Sequence, residues 1–197
     1  MTTVTLTDGE IHELAKTCLL SNGCDEANAT AAARTISSAE RDGALSHGLF
    51  RLPGYVASLR SGKANGHAVP KHEQLTAAAI RIDGDRGYAP LAIEYGTPLL
   101  AAAAAETGVA VLLIRNSFHF AALWPEVEAL AEKDLVGLAC TVNLPTVAPF
   151  GAKTAFFSTN PIAFAYPRPG KDPYVFDMAS AAKARGDIGI AARDGHE

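Results

Sequence analysis

The stretch AAAIRIDGDRGYAPLAIEYGTPLLAAAAAETGVAVLLI, residues 77–114, decides the fold class. Ala77 to Ile82 is apolar and strand-like, and Asp83-Gly84-Asp85-Arg86-Gly87 reads as a turn. An Ala-rich helix is expected from Ala89 to Glu106, and Val109 to Ile114 then reads as a buried strand. The pattern continues. His119 to Lys133 carries Leu123, Val127, Leu130 and Ala131 on one helical face, and Leu135 to Val142 is a further strand. This βαβαβ alternation predicts a largely parallel sheet with right-handed crossovers.

Upstream, the period is helical. Thr7 and Glu10 have capping-box spacing, and Ile11, Leu14, Ala15, Cys18 and Leu19 form an apolar stripe that Asn22-Gly23 ends. Asp25 is a good N-cap for a second helix reaching Arg41, closed by Asp42-Gly43. A third helix is expected from about Ser46, with Leu49, Leu52, Val56 and Leu59 on one face and Pro53-Gly54 in its middle. Ser61 to Pro70 reads as a linker. Downstream, Ile162 to Tyr166 and Tyr174 to Asp177 are short strands between Pro/Gly turns. The expected division is a helical domain at 1–70 and an α/β domain at 71–197.

The chain has 197 residues, 48% hydrophobic, with 17 Lys+Arg against 21 Asp+Glu, so a core can form and the mild acidic balance argues against nucleic acid as the main partner. Neither a membrane nor a nucleic acid is expected as partner. Cys18, Cys24 and Cys140 have no C-x-x-C spacing and read as reduced thiols. Met1 to Glu10 lacks a basic flank followed by an apolar core, and Leu99 to Ile114 is broken by Glu106 and Gly108. The expected compartment is the cytoplasm.

A βαβ pattern invites a nucleotide fingerprint, yet no two of the 17 glycines stand as G-x-G and no G-x-x-x-x-G-K occurs. No H-E-x-x-H announces a metal, and none is expected. The densest polar cluster is Ser46-His47-Gly48-Leu49-Phe50-Arg51. On a helix His47 and Arg51 would share one face, an arrangement suited to an anionic substrate that must gain a proton. A capping serine followed by a solvent-facing His and Arg fits the same letters. Asn116 to Phe120 follows a strand, where open α/β sheets bind ligands, although a plain N-cap with a packed aromatic pair also explains it. Ser158-Thr159-Asn160-Pro161 reads as a turn or as hydroxyls in a site. Asp177, in apolar surroundings, needs a partner, which makes it either a cap or an orienter of a histidine.

Taken together, Arg41-Asp42-Gly43, Ser46-His47-Gly48-Leu49-Phe50-Arg51-Leu52-Pro53-Gly54-Tyr55, His119-Phe120-Ala121-Ala122-Leu123-Trp124-Pro125 and Thr159-Asn160-Pro161-Ile162-Ala163-Phe164 resemble the malate/L-lactate dehydrogenase-like family of NAD(P)-dependent oxidoreductases. The resemblance is to its piperideine-2-carboxylate/pyrroline-2-carboxylate reductase branch in particular. It implies an N-terminal helical domain plus a non-Rossmann α/β nucleotide-binding domain, incomplete here because the family pattern continues past this chain. It also implies a homodimer and NADPH-dependent reduction of a cyclic imine carboxylate, with NAD as the other possible cofactor. In that pattern His47 donates the proton to the imine nitrogen, with Ser46 and Asp177 as its relay partners. Arg51 clamps the substrate carboxylate and Thr159 lines the substrate site. His119, Phe120, Ala121, Ala122 and Leu123 meet the cofactor, as do Met178, Ala179 and Ser180 through their backbone. Two other readings stand beside it: a 2-hydroxy acid dehydrogenase of the malate, lactate or ureidoglycolate type, and a truncated, inactive remnant that binds ligand or a full-length homologue.

Overall fold

The computed structural model describes residues 4–183 and 185–195. The chain is α/β with an N-terminal helical region, and it forms two compact units, Met1–Ala121 and Ala122–Glu197. The expected boundary at residue 70 therefore falls inside the first unit.

In the first unit, α1 (Asp8–Leu20) opens with the capping box: the Thr7 N–H donates to the Glu10 carboxylate at 2.8 Å, and the Glu10 N–H donates to Thr7 Oγ1. Asp25 caps α2 (Glu26–Arg41) by accepting the Asn28 N–H. Ala29, Ala32, Ala33 and Ile36 of α2 and Ala15 and Leu19 of α1 form the core, the small alanines letting the two helices approach closely. The 61–70 segment is no free linker. Ala64 and Ala68 are buried, and the Asp25 N–H donates to the Gly66 carbonyl, which ties the segment to the start of α2. A Cβ at Gly66 would lie 2.0 Å from the Gly23 carbonyl oxygen, so this close approach requires glycine.

The third helix begins later than its pattern predicts. Residues Leu45–His47 and Leu49–Arg51 form two short 3₁₀ turns, and α3 runs from Leu52 to Arg60 with Pro53 in its first turn, where its missing N–H costs nothing. His47 and Arg51 therefore lie on successive 3₁₀ turns and not on one α-helical face.

A hairpin of β1 (Lys71–Thr76) and β2 (Ala79–Asp83) leads into α4 (Ala89–Thr107) and β3 (Val111–Arg115). Strand β2 pairs antiparallel with β1 and parallel with β3, with Ile80 opposite Leu112 and Ile82 opposite Ile114. Helix α4 lies against the sheet at Gly96, where a Cβ would meet Ile82 and Leu112. The strand Val109–Ile114, expected to be buried, leaves one face open, with Val111 and Leu113 each about half exposed.

The second unit holds α5 (Trp124–Ala131), β4 (Gly137–Cys140), β5 (Pro161–Arg168), β6 (Lys171–Ala179) and α6 (Arg185–Arg193). Here the sheet is antiparallel in the order β4-β5-β6. Among the described residues the only parallel strand pair is thus β2 with β3, and the largely parallel sheet expected from the alternation does not form. Strand β4 pairs antiparallel with β5 and not with β3. Helix α5 packs on the face that carries the buried Ala163 and Ala165. It starts five residues after His119, so His119 to Leu123 is a loop and not a first helical turn.

Candidate active site

In the first unit, the 3₁₀ turn after α2 sets Ser46 Oγ 3.1 Å from Nδ1 of His47, with Ser46 buried. The Glu40 carboxylate of α2 accepts the Leu49 N–H at 2.7 Å and holds the second turn. Gly48 makes room for it: a Cβ there would stand 2.1 Å from Glu40 Oε1. This packing against α2 is the physical reason the segment winds as two tight turns before α3 can begin. Arg51 closes the second turn, and its positive charge acts on Tyr55 and His119.

Tyr55 and Tyr88, which the sequence did not single out as polar groups of a site, surround His119. The Tyr55 hydroxyl lies 2.6 Å from His119 Nε2, and both tyrosine rings meet the imidazole edge to face at centroid distances of 4.8 and 4.9 Å. The Tyr88 hydroxyl donates to the Tyr55 carbonyl and stands 2.8 Å from Ser58 Oγ. Burial, helped by Arg51, pushes the His119 imidazole down to about 3, and burial raises both phenols. His119 is therefore neutral in the physiological range and is no proton donor there. Its Nδ1 is buried and has no hydrogen-bond partner among the described residues. The loop is pinned by Ser117, whose hydroxyl contacts the Gly87 and His119 carbonyls. The signal for Tyr55 was its place at the end of the Ser46–Tyr55 block. Tyr88 gave none beyond preceding α4.

In the second unit, Asp177 accepts the N–H groups of Leu123 and Trp124 on one oxygen, at 2.7 and 3.1 Å. It is a cap from a neighbouring strand, and it closes the N-terminus of α5 to other anions. Glu126, in the first turn of α5, was not anticipated either. Burial, with Asp177 beside it, pushes its carboxyl up to about 8. Thr159 meets Ser180, because the Ser180 N–H and hydroxyl both donate to the Thr159 carbonyl, at 2.9 and 3.0 Å. Ser158, buried, accepts the Asn143 and Asn160 N–H groups and fixes the turn, with Asn160 at φ +39°. The register sets Pro161 opposite Ala179, Ile162 opposite Met178 and Ala163 opposite Asp177, so Met178, Ala179 and Ser180 lie along the strand start that Thr159 introduces.

The residues expected to meet a cofactor are differently equipped. Ala121, Ala122 and Leu123 are buried, and the Leu123 N–H is already taken by Asp177. Phe120 is half-buried and apolar. His119 is left as the block's polar side chain. Among the described residues no three His, Cys, Asp or Glu side chains cluster to hold a metal, and no helix is long and apolar enough to cross a membrane.

Residues 6–197 match the family model described as malate/L-lactate dehydrogenase. The chain is 46% identical over 194 residues to a Δ1-pyrroline-2-carboxylate reductase of Ancylobacter novellus, which covers 98% of this chain and 57% of that protein. It is 47% identical over 188 residues to a Δ1-pyrroline-2-carboxylate/Δ1-piperideine-2-carboxylate reductase of Pseudomonas putida, covering 95% of this chain and 55% of that one. The crystal structure of Δ1-piperideine-2-carboxylate reductase from Pseudomonas syringae superposes with a TM-score of 0.93 at 44% identity, over 98% of this chain and 58% of that chain. A malate dehydrogenase from Entamoeba histolytica superposes with a TM-score of 0.92 at 26% identity, over 98% and 54%. The chain thus spans little more than half the length of the relatives it matches.

Proposed function

Since this chain belongs to the malate/L-lactate dehydrogenase family, we propose that it takes part in NADPH-dependent reduction of the C=N bond of cyclic imine carboxylates, piperideine-2-carboxylate and pyrroline-2-carboxylate. The observation that carries this reading is the Ser46–His47 contact at 3.1 Å, one 3₁₀ turn before Arg51. NADP fits the residues present at one point: the buried, unpartnered Nδ1 of His119 is an atom that a polar group of a bound ligand would satisfy. In this reading His119 contacts the cofactor, as does the backbone of Met178, Ala179 and Ser180, which stands beside Thr159.

When bound, NADPH supplies the hydride for the imine carbon. Arg51 holds the substrate carboxylate through a charge-assisted hydrogen bond and so fixes the ring. In this reading Ser46 steadies His47 through Nδ1 and the transferred proton is the one on Nε2. His47 gives that proton to the imine nitrogen as the carbon gains hydride, yielding the cyclic amino acid and leaving His47 neutral and the cofactor oxidised. Asp177 is the third member of the relay in this reading, and Thr159 lines the substrate site. A homodimer in the cytoplasm completes the proposal, supported by the family resemblance.

The test is NADPH oxidation by the chain with piperideine-2-carboxylate, with pyruvate as competing substrate and His47→Ala as control. Turnover on the imine that falls about 10²-fold or more in the variant supports the reading. A preference for pyruvate moves the assignment to 2-hydroxy acid dehydrogenation. No turnover from a folded chain refutes independent activity and favours a ligand-binding remnant.

A further inference from the structure

The contact between Tyr55 and His119 admits two proton arrangements. In one, Nε2–H donates to the phenol oxygen. The phenol proton then has no acceptor among the described residues, and Nδ1 turns a bare lone pair toward the His119 carbonyl beside it. In the other, the phenol donates to Nε2 and the imidazole proton sits on Nδ1, beside that carbonyl but outside hydrogen-bond geometry with it. Only the second arrangement leaves neither the phenol proton without an acceptor nor two lone pairs opposed.

We propose that Tyr55 is a positioning residue: its hydroxyl fixes His119 as the Nδ1–H tautomer, and that N–H is the donor offered to an anionic oxygen of the bound substrate or cofactor. Three features support it. Nδ1 is buried and lacks a hydrogen-bond partner, which is a cost in the free chain that a ligand oxygen would relieve. The charge of Arg51 acts on both rings, so an anionic acceptor suits the place. The Tyr88 hydroxyl ties down the Tyr55 carbonyl, and the Tyr88 ring walls the imidazole, so the ring cannot swing to trade its nitrogens without breaking packed contacts. With both groups neutral, the arrangement persists across the working pH range. The ligand half of the inference rests on the function proposed above, whereas the tautomer half does not.

A long-range ¹H–¹⁵N correlation spectrum of the ¹⁵N-labelled chain reads the tautomer directly. The expected pattern for His119 is a protonated Nδ1 and an accepting Nε2, unchanged between about pH 5 and 9. Tyr55→Phe is expected to shift His119 toward the other tautomer. It should also weaken binding of NADPH, or of picolinate as a flat cyclic carboxylate, by about tenfold in calorimetry. The probe that loses affinity is the one whose oxygen takes the N–H. A protonated Nε2 in the unmodified chain overturns the proposal, as does a tautomer unaltered by Tyr55→Phe. A changed tautomer with both affinities intact overturns the donor role. If the unmodified chain binds neither probe, the donor role fails together with the proposed function, and that outcome is distinct from the others. The spectrum of the unmodified chain needs no variant, so the tautomer assignment can be refuted even if Tyr55→Phe does not fold.

Discussion

The Asp177 carboxylate accepts the Leu123 N–H at 2.7 Å, and in doing so it takes in α5 the place that Glu10 holds in α1. Glu10 and Glu126 stand at the same position, three residues after the N-cap. Glu10 reaches back to the Thr7 N–H, and its carboxyl is held below the usual range by that bond. At α5 the equivalent N–H is already occupied by a carboxylate from β6. Glu126 is left enclosed beside a like charge, and its carboxyl is pushed upward.

Glu126→Gln is expected to remove a pH dependence of stability. The folded carboxyl titrates at about 8 against an ordinary value of 4.5, so the folded chain holds a proton that the unfolded chain has lost within that window. Stability therefore falls as pH rises from about 4.5 to 8, by up to about 1.4 kcal/mol per pH unit, and levels off above. Urea midpoints of wild type and variant across this range check it. Parallel curves would show that Glu126 does not titrate in the window.

Gly48→Ala is expected to destabilise the chain by about 1–3 kcal/mol, because the new Cβ displaces the Glu40 carboxylate from the Leu49 N–H. In a Glu40→Ala background the same substitution should have little effect, since the obstructing side chain and the bond are both gone. A double-mutant cycle by denaturant unfolding measures the coupling. Additive effects would mean that Glu40 does not hold the turn.

Arg51→Lys tests the carboxylate clamp. A planar, bidentate guanidinium is replaced by a point charge, so KM for the imine should rise about tenfold or more with a smaller loss in kcat. Steady-state kinetics separate the two. An unchanged KM would remove Arg51 from the substrate site.

Tyr88→Phe deletes the hydroxyl that donates to the Tyr55 carbonyl and contacts Ser58, all of it buried. A loss of about 1–2 kcal/mol is expected, read as a lower melting temperature. Full stability would mean that Ser58, which also donates to that carbonyl, satisfies it alone.

Local signals were legible wherever one or two residues suffice. The capping box at Thr7 and Glu10, the Asp25 cap and the stop at Asp42-Gly43 all formed as read. The α4 helix and the β2 and β3 strands formed within a few residues of their expected bounds. Strand β1 was missed because Lys71 to Thr76 has no apolar face to announce it. It is a strand only because β2 offers it an edge. In the site, Ser46 and His47 were legible as neighbours in sequence, and they are neighbours in space. The tie from Tyr55 to His119 spans 64 positions, and no periodicity within either segment points to the other.

The sequence by itself determined the bounds of α1, α2 and α4, the α/β class and the family, because capping geometry, side-chain period and residue blocks are local properties of the letters. Tertiary structure alone decided that β4 joins an antiparallel sheet, that Ser46 to Arg51 winds as 3₁₀ turns against Glu40, and that Asp177 caps α5. It also set the ionisation of His119 and Glu126. Pairing partners and desolvation depend on what distant segments bring to the same place, and a charge's cost is fixed only once its surroundings have closed around it.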